Sequence, residues 1–99
     1  MAQASESPWR LVAGTGQNVA IGAASVASTA VGALTHAVQI SALGNCHIRI
    51  GTAPVAVATD TLVKATDPPR VFACGPGDKV AVIQDGSATG NCNITELTH

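Results

Sequence analysis

Alternation of apolar and polar positions is the clearest pattern in this chain, and it has a period of two. Val38 and Ile40 face one way, and Ala37, Gln39 and Ser41 the other. After Leu43-Gly44-Asn45, the residues Cys46, Ile48 and Ile50 alternate against His47 and Arg49. Such alternation predicts strands with one apolar and one polar face. The turn between the two runs predicts a hairpin closed by Gly51. Further strands are expected around Trp9–Ala13, at Val19 and Ile21, at Val55 and Val57, and at Leu62-Val63. Others are expected at residues 71–73, from Lys79 to Gln84, and from Cys92 to Leu97.

Residues 23–34 fit two periods. Val19, Ala23, Val26, Ala30 and Leu34 have helical spacing, yet 25–31 also alternate and are rich in Val and Thr. Flanking glycines and the neighbouring strands favour a strand. Gly14-Thr15-Gly16, Asp67-Pro68-Pro69 and Gly75-Pro76-Gly77-Asp78 break the chain into short runs. About eight short strands with punctuation every 8–12 residues predict an all-β, antiparallel sandwich or barrel. One internal echo stands out. Ala42-Leu43-Gly44-Asn45-Cys46-His47-Ile48 resembles Ala88-Thr89-Gly90-Asn91-Cys92-Asn93-Ile94, so the two are expected to be equivalent hairpins, one in each half.

The chain has 99 residues, which sets a limit of one domain. Residues 1–8, small and polar, read as an N-terminal arm, leaving 9–99 as the domain. Charged residues are only 11%, aromatics 2%, and the net charge is -1. A nucleic-acid binder needs a basic excess or stacking aromatics, and this chain has neither. Leu11 to Thr35 carries no formal charge, but Gln17, Asn18 and several Gly, Ser and Thr make it too weakly apolar for a membrane helix. The start has no basic run of the kind that opens a secretory signal.

Candidate chemistry is sparse. Cys46, Cys74 and Cys92 are odd in number, so at most two can pair with each other. They read as half-buried thiols on strands; one bridge, such as Cys46 to Cys92, requires neighbouring strands. Cys46 and His47 point to opposite faces of a strand and cannot easily share one metal ion. No metal or other cofactor is therefore expected, with Cys46 buried and His47 exposed. Asp60, Asp67, Asp78 and Asp85 sit at turns, where Asp bonds nearby backbone. No catalytic residues are assigned. Trp9, followed by Arg10 and Leu11, is the large apolar anchor outside the clear strands, and it must either fold back or dock on a partner.

Several strings together cover roughly residues 25–98: Ala30-Val31-Gly32, Val38-Gln39-Ile40, Cys46-His47-Ile48-Arg49-Ile50-Gly51, Pro76-Gly77-Asp78-Lys79-Val80 and Asn93-Ile94-Thr95-Glu96-Leu97. This pattern resembles the small virion proteins of tailed bacteriophages. The resemblance implies a jelly-roll sandwich and a place on the capsid exterior, as a decoration or cement protein assembled in the host cytoplasm. The implied partners are the major capsid protein and two further copies of the chain in a homotrimer. It carries no catalytic residues across. Residues before 25 lie outside the match; among them, residues 1–16 are the expected capsid or subunit contact, through Trp9, Arg10 and Leu11. A tail or fibre module binding host glycans is the alternative, and the shortage of aromatic platforms argues against it. A small cupin-type enzyme would need a set of metal-binding His residues that the spacing does not provide.

Overall fold

A computed structural model describes residues 9–98, so the arm expected over 1–8, and His99, lie outside the described residues. Among the described residues nine strands follow one another: β1 (Arg10–Leu11), β2 (Gln17–Ile21), β3 (Val26–Ala27), β4 (Ala37–Ala42), β5 (Cys46–Gly51), β6 (Thr61–Val63), β7 (Arg70–Ala73), β8 (Lys79–Gln84) and β9 (Gly90–Thr98). No helix among the described residues is long and apolar enough to cross a membrane.

The strands form two antiparallel sheets. In the first, β9 lies between β4 and an edge shared by β1 and β2, and β7 closes the other side of β4. In the second, the order is β3-β8-β5-β6. Strands β2 to β9 thus pair as β2 with β9, β3 with β8, β4 with β7 and β5 with β6. This is the order of a jelly roll, in which a long folded ribbon wraps into a sandwich. The predicted all-β sandwich is the observed architecture.

The core lies between the sheets and explains the alternation. Val38, Ile40 and Ala42 of β4 and Cys92 and Ile94 of β9 point inward from the first sheet, and Cys46, Ile48, Val80 and Val82 from the second. Each large aliphatic side chain removed from water contributes roughly 1.5–3 kcal/mol before entropy is counted. With only two aromatic residues, the core is filled by branched aliphatics, which pack well on pleated strands.

Three expectations need correction. The predicted hairpin over residues 36–50 is not a hairpin. β4 pairs with β9 and β7, β5 with β8 and β6, and the turn at residues 43–45 carries the chain from one sheet to the other. Val55 and Val57 form no strand; both are exposed on a loop, residues 52–60, that joins β5 to β6. Of residues 23–34, only Val26–Ala27 is extended strand, as an edge of the second sheet.

The two segments of the internal echo are equivalent, but as crossings between the sheets and not as the expected hairpins. Residues 43–45 and 85–89 are both crossings between the sheets, and they pack side by side. The Leu43 amide donates to Asn91 O at 2.8 Å, and the Asp85 amide to Asn45 O at 3.1 Å. Gly44 and Gly90, equivalent in the echo, stand at this contact. A Cβ on Gly44 would collide with the Thr89 carbonyl, and one on Gly90 would lie 3.3 Å from the Leu43 carbonyl. Elsewhere, Pro76 and Gly77 (φ +80°) make the tight turn before β8, closed by Asp78 N to Gly75 O at 3.1 Å. The open side between β7 and β6 is bridged by Arg70, whose Nη1 donates to Leu62 O at 3.1 Å while its guanidinium covers the Phe72 ring.

Candidate functional site

Each sheet has one face in the core and one facing outward, and the two outward faces differ in charge. Directly opposed residues on antiparallel strands share a face. On the first sheet, the register places Asn18 and Ala20 of β2, Asn91, Asn93 and Thr95 of β9, Gln39 and Ser41 of β4, and Val71 and Ala73 of β7 outward. None of these carries a formal charge. Some of their polar atoms bond one another: Asn93 Nδ2 donates to Asn18 Oδ1 at 3.1 Å, and Thr95 Oγ1 to Asn93 Oδ1 at 3.3 Å.

At one end of this sheet, Val12, the stretch from Gly32 to Thr35, and Thr98 line an open groove of about 520 Å³. Leu34 on its rim is 90% exposed. Glu96 fixes both walls. Its carboxylate accepts from the Gly32 amide and the Thr35 hydroxyl, and its backbone bonds the Val12 amide and Thr15 Oγ1. Glu96 has core-facing parity, opposite Val38, so this carboxylate closes the end of the sandwich.

The residues expected as a partner contact lie beside this end. Arg10 and Leu11 are strand β1, paired with Thr98 and Leu97 at the tip of β9, and Trp9 before them is partly buried. Leu11 has outward parity and is 60% exposed, so it extends the uncharged face.

The outward face of the second sheet holds the polar chemistry. His47 occupies its centre, opposite Leu62 of β6 and Ile83 of β8. It was expected to be exposed, but it is 8% exposed, because two loops fold over it. Its Nδ1 lies 2.9 Å from Asp60 O and its Nε2 2.9 Å from Asp85 Oδ1. Arg49, on the same face, donates through Nε and Nη2 to Asp60 Oδ1 at 3.1 and 3.0 Å. Asp60 Oδ2 accepts the Val57 amide at 2.8 Å. The Asp60 carbonyl first, and then Asp85, raise the His47 pKa above its ordinary value. The Val57 amide, followed by the Arg49 guanidinium, holds the Asp60 carboxyl below the usual carboxylate range. With both ring nitrogens turned to oxygen acceptors, the His47 ring is committed to Asp60 and Asp85. Asp67 and Asp78 behave as the turn reading predicts, accepting the amides three residues before them.

The cysteines are all free thiols, but not all half-buried. Cys46 and Cys92 have no exposed surface, and only Cys74 is intermediate. The strands of Cys46 and Cys92 are not neighbours in a sheet. They lie on opposite sheets, both facing the core between them. The neighbouring Cys46 thiol, and then burial, push the Cys92 pKa far up. Burial, followed by the nearby Asp78 and Glu96 charges, raises Cys74. Among the described residues, no group of three or more His, Cys, Asp or Glu is placed to hold a metal ion.

Comparison with protein-family models, curated proteins and solved structures finds no match.

Proposed function

We propose that this chain is a structural protein that reinforces a tailed-phage capsid by lying flat against its shell subunits. The observation that carries the reading is the uncharged outward face of the first sheet. Charged groups are costly to desolvate at the centre of an interface and are depleted there. This face has none, and several of its amide and hydroxyl groups already bond one another. The jelly-roll fold is also the one the resemblance to small phage virion proteins implies, although a fold alone assigns no role.

The dimensions fit a contact that works by repetition. Strands about 4.8 Å apart and six residues long give a four-strand face of roughly 400 Å². A standard interface buries about 800 Å² on each partner. One copy alone therefore binds weakly, and a homotrimer engaging the shell at three places gains by avidity. Leu11 and the neighbouring Trp9 and Arg10 extend the contact at the end of β9. The particle surface is the proposed location, reached after assembly in the host cytoplasm. The glycan-binding alternative finds less support, because Phe72 is covered by Arg70 and Trp9 is partly buried, leaving neither as an open sugar platform.

The test introduces charge on this face. Ser41→Lys and Asn93→Glu should abolish co-sedimentation with expanded capsids of the phage that encodes the chain, while circular dichroism stays unchanged. Lys64→Ala, away from that face, should retain binding. Full binding by both face variants refutes the reading.

A further inference from the structure

The loop of residues 52–60 leaves β5, runs to the β3 side of the second sheet, and returns to β6. Its outbound reach is fixed by the Ala56 amide, which donates to Ser25 Oγ at 2.9 Å, just before β3. In the order β3-β8-β5-β6, a loop joining β5 to β6 through Ser25 must pass over β8. Burial agrees: Ala56 of the loop is 2% exposed, and Ala81, with outward parity on β8, is 0%. The returning end is clasped by His47 and Arg49, both on Asp60.

We infer that residues 52–60 form a pH-operated strap, fastened by a doubly donating His47 and loosened when that ring loses a proton. The geometry sets the protonation state. Asp60 O is a backbone carbonyl, which can only accept. Asp85 Oδ1 is a carboxylate oxygen, which also accepts. A neutral imidazole has one N–H and can serve only one of them; the imidazolium serves both. Removing the proton must break either the bond to the strap or the bond to Asp85.

The charged groups around the ring agree with this assignment. Asp85 comes from the turn after β8, Asp60 from the strap itself, and Arg49 from β5 on the same face. Lys64 lies two residues beyond Leu62, and Lys79 at the far end of β8, opposite Gly51. Cys46 adjoins His47 but faces the core. Leu62 and Ile83, directly opposite the ring, carry no charge. The pKa of His47 is raised relative to the unfolded chain. Its contribution is therefore complete below the unfolded value and is lost as pH rises through the folded value. The strap is tight on the acid side and loosens on the alkaline side, uncovering Ala81 and the apolar surface around it.

The test starts from the wild-type chain. Ring nitrogen spectra across pH 5–9 report the His47 protonation state, and amide hydrogen exchange of Ala56 and Val57 reports strap opening. Losing a hydrogen bond to a charged group should speed strap exchange about ten- to a hundredfold. The rise should follow His47 deprotonation, above the ordinary histidine range, after correction for intrinsic exchange. Amides of β4 and β9 should remain protected throughout, separating strap release from unfolding. Asp85→Asn should move both midpoints to lower pH together. A neutral His47 at pH 6 overturns the inference, as does corrected strap exchange that stays flat from pH 5 to 9.

Discussion

Gly44→Ala tests the contact between the two sheet crossings, on which the wrapping of the ribbon depends. The added methyl would overlap the Thr89 carbonyl oxygen and lie 3.1 Å from its carbon. The obstacle is backbone, so no side chain can swing away. Thr89 is itself held close, because Asn91 O two residues on accepts the Leu43 amide, and a Cβ on Gly90 would already lie 3.3 Å from the Leu43 carbonyl. Relief therefore requires one crossing to move by about the width of an overlapping methyl. Such overpacking typically costs 1–3 kcal/mol, and the rigid obstacle here places the expectation at about 3 kcal/mol. For a domain near 100 residues, each kcal/mol shifts the melting temperature by about 4–8 °C. Thermal unfolding followed by far-UV circular dichroism should thus show Tm lower by about 15 °C. Gly51→Ala is the control, since a Cβ there meets nothing within 4 Å and the backbone is not left-handed. It should shift stability by no more than about 0.5 kcal/mol. A Gly44→Ala protein within about 1 kcal/mol of wild type refutes the close crossing.

Two further outcomes follow from the same structure. Glu96→Ala removes the acceptor for the Gly32 amide and the Thr35 hydroxyl and should cost about 1–3 kcal/mol in urea unfolding, whereas Glu96→Gln, which keeps an oxygen, should cost less. In the native protein, iodoacetamide should label Cys74 first and slowly at neutral pH, because burial and nearby acids raise its pKa; Cys46 and Cys92 should react only after denaturation, and early labelling of Cys46 in intact-mass spectra would contradict the burial of that pair.

The sequence makes strand positions legible and strand partners much less so. β4, β5, β8 and β9 are visible because one row of residues enters the core and the other meets solvent or a loop. Leu43-Gly44-Asn45 marks a reversal, but a hairpin and a crossing between sheets both place alternating residues on either side of a short turn. What separates them here is distant: β9 and β8 supply the pairing that β4 and β5 do not give each other. The echo between residues 42–48 and 88–94 is the local trace of this arrangement, since two crossings that pack together need glycine at the same place. Val55 and Val57 mimic a strand because a loop over a sheet also alternates its contacts. The burial of His47 has no local signal, as its partners lie 13 and 38 residues away. Alternation identifies it correctly as outward-facing and cannot show that a strap covers it.

That cover bears on which face is available to a partner. The second sheet turns His47 and Arg49 outward, yet both are engaged with Asp60, and His47 also with Asp85. Its outward surface is already occupied by the chain's own loop. On the first sheet, Ala37 and Leu97 at the β1 end are covered, while Asn18, Ala20, Asn91, Gln39, Ser41, Asn93, Thr95, Val71 and Ala73 of the outward face remain at least partly accessible. A partner reaching the His47 and Arg49 face itself would have to displace the strap and its ion pair; one approaching the first sheet would displace water from small neutral groups. The cost of desolvation is consistent with the first face as the proposed contact. If alkaline pH opens the strap, new apolar surface appears on the opposite side of the molecule from the proposed shell contact. Capsid binding through the first face should then be nearly constant across the pH range that releases the strap. Binding that rises or falls with the His47 titration would place the contact on the second sheet instead.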